Sequence, residues 1–144
     1  MIDSNFIKNS KLSIQNVSRE TLDELNKYRL SIIEKNREIN LISASTEKSI
    51  NTRHIIDSAQ TIEFIDKNDI NVCTDLGSGA GLPGIVLAIL MKPKKPQFKV
   101  IFYEKSYHKS NFLKEISKKF KLNTEINQKN IFDQKNLRTD IIIS

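Results

Sequence analysis

Residues 74–90 read "TDLGSGAGLPGIVLAIL" and hold all four glycines of the chain, Gly77, Gly79, Gly81 and Gly84. Glycines serving ordinary turns would be scattered among loops. Four within eight residues mark one turn whose backbone bends sharply and is approached closely by something else. The flanks say what that turn joins. "INVCTDL", Ile70 to Leu76, is a short apolar strand candidate, and "PGIVLAILM" from Pro83 reads as the following helix, stopped by Pro93 and Pro96. Pro83 suits a first helical turn, because its φ is already helical and its missing N–H has no partner to lose there.

Working outward, "FKVIFYE", Phe98 to Glu104, is the next strand, and "KSNFLKEISKKFKL" from Lys109 is an amphipathic helix that buries Phe112, Leu113, Ile116 and Phe120. A weaker strand is predicted at Thr124 to Asn127, and "DIIIS" from Asp140 predicts another. This β-α-β-α-β order predicts an α/β fold, a parallel sheet covered by helices. Upstream, Ser18 to Asn40 predicts one helix with Leu22, Leu25, Ile32, Ile33 and Ile39 on its apolar face and Thr21 and Glu24 as a capping box. Thr46 to Phe64 predicts a second, with Ile50, Ile55, Ile56, Ala59, Ile62 and Phe64 apolar. The expected organisation is an N-terminal helical cap over residues 1–69 and an α/β domain over residues 70–144.

Composition removes several classes of protein. At 144 residues, 38% hydrophobic and 28% charged, the chain has the makeup of one soluble globular domain. The longest apolar run, "IVLAILM" from Ile85, falls well short of the roughly 20 residues that span a bilayer, and "MIDSNFIKNSKLSIQN" has no secretory pattern. A lone cysteine, Cys73, allows neither an internal disulfide nor a cysteine zinc site, so no metal is predicted, and a cytoplasmic setting is expected. Cys73 itself reads as a buried small hydrophobe. Charge is uneven: between Lys92 and Lys121 ten lysines face only Glu104 and Glu115, a local +8 within a total of +6. That is either a footprint for nucleic-acid phosphate or a solvated lysine face.

The glycine turn fits two ligand patterns. Gly79, Gly81 and Gly84 spell G-x-G-x-x-G, with Glu104 about 20 residues on, where a dinucleotide site places its ribose-binding acid. Asp75, Gly77, Gly79 and Gly81 spell D-x-G-x-G-x-G, which resembles motif I of class I methyltransferases that use S-adenosylmethionine. The acid separates the two: a carboxylate in that turn repels a pyrophosphate, whereas it favours a cationic methionyl group. A phosphate-binding P-loop is excluded, since no G-K-[ST] follows.

The extended string "DLGSGAGLPGIVLAI", preceded by "NLIS" at Asn40 to Ser43 and "RHIIDS" at Arg53 to Ser58, resembles the ribosomal RNA small subunit methyltransferase G family, also called glucose-inhibited division protein B. "EKSYHKSNFL" from Glu104 and "DIIIS" are similar to further segments of that family, so the resemblance covers about Asn36 to Ser144. It implies a Rossmann-like class I methyltransferase sheet and S-adenosylmethionine-dependent methylation of guanine N7 in 16S ribosomal RNA, as free RNA or in the small ribosomal subunit. Guanine N7 carries a free lone pair, so no proton leaves before attack and no catalytic residue is named. By the resemblance, Gly77, Gly79, Gly81 and Leu82 line the methionyl and ribose side of the cofactor, Asp75 binds the cofactor by assisting its cationic methionyl part, Glu104 accepts from the ribose hydroxyls, and Asn130 and Ile131 lie beside the adenine.

Where the family commonly has an arginine, a small residue and an acid after its third strand, this chain reads Lys129, Asn130 and Ile131, a change that spares backbone contacts and removes any that need the acid. Arg53, His54 and Asp57 are the expected substrate contacts, set against the plain reading of Arg53 and Asp57 as an i,i+4 ion pair. Asn36 and Asn40 read equally as helix-end caps. Lys105, Lys109, Lys114, Lys118, Lys119 and Lys121 are candidate phosphate contacts. The chain stops at Ser144, just before the family's expected arginine and final elements, so the reading expects a sheet ended after its fourth strand. A non-catalytic remnant and a dinucleotide-dependent oxidoreductase are the alternatives to the methyltransferase.

Overall fold

The computed structural model describes residues 17–50 and 54–144. Helix α1 spans Arg19–Asn36, and Ser18 caps it, its hydroxyl accepting the backbone N–H of Thr21. The expected Thr21–Glu24 box is therefore not used. Thr21 is the residue being capped, and Glu24 turns instead to Lys92 at 2.7 Å. The helix also stops at Asn36 rather than Asn40. Asn36 Oδ1 accepts the N–H groups of Leu41 and Ile42 at 2.9 and 3.1 Å, and Nδ2 donates to Glu47 at 2.6 Å. A side-chain amide that gathers backbone donors in this way favours a turn over another helical repeat.

Along the second predicted helix the structure describes α2, Ala44–Ser49, capped by Ser43, and α3, Ile55–Lys67, with Ile50 and His54 π-helical at their facing ends. Ile50, Ile55, Ile56 and Ile62 are buried as their spacing predicts, but Phe64 is half exposed and Ile65 takes the buried place. Then follow β1 (Val72–Leu76), α4 (Gly84–Met91), β2 (Lys99–Tyr103), α5 (Tyr107–Lys119), β3 (Thr124–Asn127), a 3-10 turn at Ile131–Asp133 and β4 (Ile141–Ile143). Helix α5 starts two residues before the expected Lys109, because Ser106 caps it. The four strands are parallel throughout, in the order β3-β2-β1-β4.

Strand β1 is central, and Cys73, Thr74 and Asp75 expose no surface. Burial pushes the Cys73 thiol up to about 12, so it stays a neutral hydrophobe. On one side β1 pairs with β2 from Val72 opposite Lys99 to Leu76 opposite Tyr103. On the other, Cys73 to Asp75 lie opposite Ile141 to Ile143. Asp140 fastens that second seam, its carboxylate accepting the N–H groups of Asn71 and Val72 at 2.8 and 2.9 Å. These bonds hold its carboxyl below the usual carboxylate range. β3 and β4 are the edge strands of the described sheet, and Ile142 of β4 is half exposed.

Helix α4, "GIVLAILM", is buried along its whole length. It packs on β1 and β2 and is covered by α1 and α3. Leu25, Tyr28 and Ile32 of α1 and Ile62 and Ile65 of α3 lie in the same apolar cluster as Ile85, Leu87 and Ile89 of α4. Each such side chain contributes roughly 1.5–3 kcal/mol on burial. Lys92 closes the lower corner, its Nζ bonding Glu24 of α1 and the Phe120 carbonyl after α5. No helix among the described residues is long and apolar enough to cross a membrane.

One polar bond crosses this core. The wholly buried Tyr28 hydroxyl donates to the Ala80 carbonyl at 2.7 Å, tying α1 to the glycine turn. Burial raises the phenol well above its ordinary pKa, so it remains a donor. Tyr28→Phe leaves that carbonyl unsatisfied and is expected to cost about 1–3 kcal/mol. Urea unfolding checks this: the midpoint falls while the slope is unchanged.

Candidate functional site

The chain runs from β1 outward to β2 and β3, then returns to the far side of β1 as β4. Ligands of such sheets bind beyond the carboxyl ends of the strands, and the glycine turn sits at that end of β1. It is sewn to β2: the N–H groups of Gly77 and Ser78 donate to the Tyr103 carbonyl at 2.9 and 3.3 Å. Three of its glycines have positive φ, Gly77 at 67°, Gly79 at 54° and Gly81 at 93°.

The four glycines do different work. A Cβ on Gly77 would meet nothing within 4 Å, and one on Gly79 only a carbonyl at 3.9 Å, so both open toward free space. A Cβ on Gly81 would collide with Ile85 and Leu113, and one on Gly84 with Phe102 and Asp75. Gly81 also spends its N–H on the Ser78 carbonyl. The open part of the turn is thus Gly77 to Gly79, while Gly81 and Gly84 are demanded by packing. Leu82 is partly buried against the core.

Glu104 follows β2 directly. Its Oε2 accepts the Gly79 N–H and its Oε1 the Ser106 N–H, both at 2.8 Å. One carboxylate thereby holds the glycine turn against the start of α5. Beside it lies a cleft of about 250 Å³ lined by Gly77, Tyr103, Glu104, Lys105, Lys129, Asn130, Ile131 and Phe132. Asn130 shapes its far wall, its Oδ1 accepting the Phe132 N–H at 3.3 Å. Of the residues singled out in the sequence, Gly77, Glu104, Asn130 and Ile131 are brought together here, with Gly79 one hydrogen bond away.

Asp75 lies beneath this cleft rather than in it. Its carboxylate exposes no surface, Oδ2 accepts the Gly84 N–H at 3.1 Å, and Oδ1 has no partner among the described residues. A negative group there faces the positive end of α4. Burial, against the Gly84 hydrogen bond and with a small push from Glu104, raises its carboxyl to about 7. His54 is half-buried and Asp57 exposed at the start of α3, and neither lines the cleft around Glu104. Arg53 lies outside the described residues. Among those described, no group of three or more His, Cys, Asp or Glu is placed to hold a metal ion.

The basic region divides in two. Lys92, Lys94, Lys95 and Lys99 pair with Glu24, Asp66, Asp69 and Glu125. Lys105, Lys109, Lys114, Lys118 and Lys121 have no carboxylate partner among the described residues, and Lys119 bonds the Ser31 hydroxyl. Sequence reasoning passed over Tyr103 and Phe132 as cleft walls. Phe132, 89% exposed, had a readable signal: an apolar pair with Ile131 directly after an Asn turn former.

The profile of the family described as rRNA small subunit methyltransferase G matches residues 21–144. The chain belongs to this family. Relatives named Ribosomal RNA small subunit methyltransferase G include one from Pelagibacter ubique, 49% identical over 135 residues, covering 92% of this chain and 63% of the relative. Another, from Jannaschia sp., is 37% identical over 126 residues, covering 88% and 59%, and one from Cereibacter sphaeroides is 39% identical over 127, covering 88% and 61%. The chain spans about three-fifths of the length of the curated relatives it matches. The rRNA small subunit methyltransferase G family is one of methyltransferases, which leaves the hydride-transfer reading of Gly79, Gly81 and Gly84 without support.

Two expectations follow from the turn. Gly81→Ala, strained in φ and in collision with Ile85 and Leu113, is expected to lose roughly 2 kcal/mol or more, whereas Gly77→Ala loses only about 1 kcal/mol for its φ; paired thermal and urea unfolding separates them. For Asp75 the folded state holds its proton more tightly than the unfolded chain, so its own contribution to stability is greatest at low pH and is lost as pH rises from about 4 to about 7. The contribution falls by up to roughly 1.4 kcal/mol per pH unit across that interval, and Asp75→Asn is expected to abolish this fall in urea titrations run at successive pH values.

Proposed function

We propose that the cleft beside Glu104 holds S-adenosylmethionine and that the chain takes part in methylating guanine N7 in 16S ribosomal RNA. The observation that carries this reading is the convergence of Gly77, Glu104, Asn130 and Ile131 on one cleft at the carboxyl end of the sheet, in a chain of a methyltransferase family. The residues suit the cofactor. The space over Gly77, which a Cβ would occupy without touching protein, admits a ligand against the backbone. Glu104, fixed by Gly79 and Ser106, keeps lone pairs for ribose hydroxyls. Ile131, Phe132 and Tyr103 supply apolar walls for the adenine.

When bound, S-adenosylmethionine supplies an electrophilic methyl group. The chain's own residues bind and align; because guanine N7 has no proton to lose, none of them acts as a base. Glu104 and the Gly77–Gly79 backbone orient the ribose side, and the apolar wall excludes water from the adenine. Asp75 serves through the turn, holding Gly84 and so the start of α4 in register. Arg53, His54 and Asp57 are proposed as RNA contacts on the helical cap of residues 1–69, which we distinguish from the cofactor-binding domain of residues 70–144. The substrate is ribosomal RNA, free or in the small subunit, and the setting is the cytoplasm.

Calorimetric titration tests the cofactor. S-adenosylmethionine is expected to bind, and Glu104→Gln, which cannot accept the same set of donors, to weaken it about tenfold, roughly 1.4 kcal/mol. Binding of NADH without binding of S-adenosylmethionine overturns the reading.

A further inference from the structure

A second cavity, larger than the cofactor cleft, has so far been given no role. It measures about 520 Å³, and its lining includes Asn40, Leu41, Ile42, Glu47, Lys48 and Lys109. That is within the roughly 300–1,000 Å³ of small-molecule sites. Its floor is the turn gathered by Asn36, which bonds Leu41, Ile42 and Glu47 at once. Glu47 is oriented by the Asn36 amide but keeps its negative charge, so with Lys48 and Lys109 the lining carries a net +1. Two cations remain: Lys48, exposed, and Lys109, half-buried and without a carboxylate partner among the described residues. An ammonium without a carboxylate partner keeps its donors available for an anionic ligand.

The backbone of Lys109, which an alanine there would keep, adjoins the cofactor cleft through Ser106. Its N–H donates to Ser106 Oγ at 3.4 Å, and the Ser106 N–H donates to Glu104. Lys105, four residues earlier, lines the cofactor cleft itself. The start of α5 therefore stands between the two cavities. A third cavity, between α1 and α5, sets Glu34, Glu38 and Glu115 against Lys35 and Lys119, with Lys35 paired to Glu38, and its lining is net negative.

We propose that the cavity floored by residues 40–44 seats a purine nucleotide of the RNA substrate, with Lys109 and Lys48 on its phosphate, Asn40 on the base edge and Leu41 and Ile42 against the base face. Planar base, polar edge and phosphate match the three kinds of wall present. The proposal rests on the RNA reading above and specifies where that RNA enters.

Guanosine 5′-monophosphate serves as the probe, titrated by calorimetry with and without saturating S-adenosylmethionine. Lys109→Ala is expected to weaken nucleotide binding at least tenfold and Asn40→Ala at least threefold, each with S-adenosylmethionine affinity unchanged. Lys67→Ala, at the far end of α3 next to the start of β1, is the charge control and leaves both affinities intact. Equal loss in Lys67→Ala and Lys109→Ala, or no loss in Lys109→Ala, overturns the assignment. So does a wild-type chain that binds S-adenosylmethionine but not the nucleotide, and in that case the cofactor reading stands. Nucleotide binding that depends on Lys109 without any S-adenosylmethionine binding upholds the cavity and sinks the cofactor reading instead.

Discussion

Helix α4 has no polar side chain, and a helix that is apolar all round is stable only when every side is covered. That requirement organises the molecule. β1 and β2 cover one side, and α1 and α3 the other, so the N-terminal helices share a core with the sheet. The position of α4 in turn fixes the glycine turn, since Gly84 begins the helix with Phe102 and Asp75 pressed against its Cα. The candidate site is a consequence of where an all-apolar helix is held.

The turn meets two demands that oppose each other. Close packing at Gly81 and Gly84 leaves no room for a methyl group, while openness at Gly77 and Gly79 leaves room for a ligand. Glycine satisfies both, for opposite reasons. Glu104 joins the two halves of the site by spanning from Gly79 to Ser106. Since its rotamer is already fixed in the folded chain, it loses little further entropy when a ligand arrives.

The strands and the helices α4 and α5 were legible in sequence because their apolar patterns are set by burial, and burial decides their fate here. The glycine turn was legible from its spacing as a sharply bent loop at the end of the first strand, but not that the Glu104 carboxylate ties it to the start of α5. What sequence did not disclose is the competition among short-range polar bonds. Ser18 outbids Thr21 as a cap, and Asn36 ends α1 because its amide finds Leu41, Ile42 and Glu47, a choice fixed by three-dimensional proximity. Asp75 shows the same limit: its place in the string signals charge near a ligand, but only the fold reveals that the carboxylate points down to Gly84. Tyr28, 52 residues from the Ala80 carbonyl it serves, leaves no local trace at all.

The seam between β1 and β4 bears on how the chain is made. β1 obtains its second neighbour only when residues 140–143 arrive, and the Asp140 carboxylate closes on Asn71 and Val72 across nearly half the chain. Contacts so distant in sequence form late, after their loop-closure entropy has been met. Until the ribosome has delivered Asp140, the central strand of the sheet is an edge, with donors and acceptors open to any other strand. The most protected strand in the finished protein is thus the one most exposed to mispairing during its synthesis.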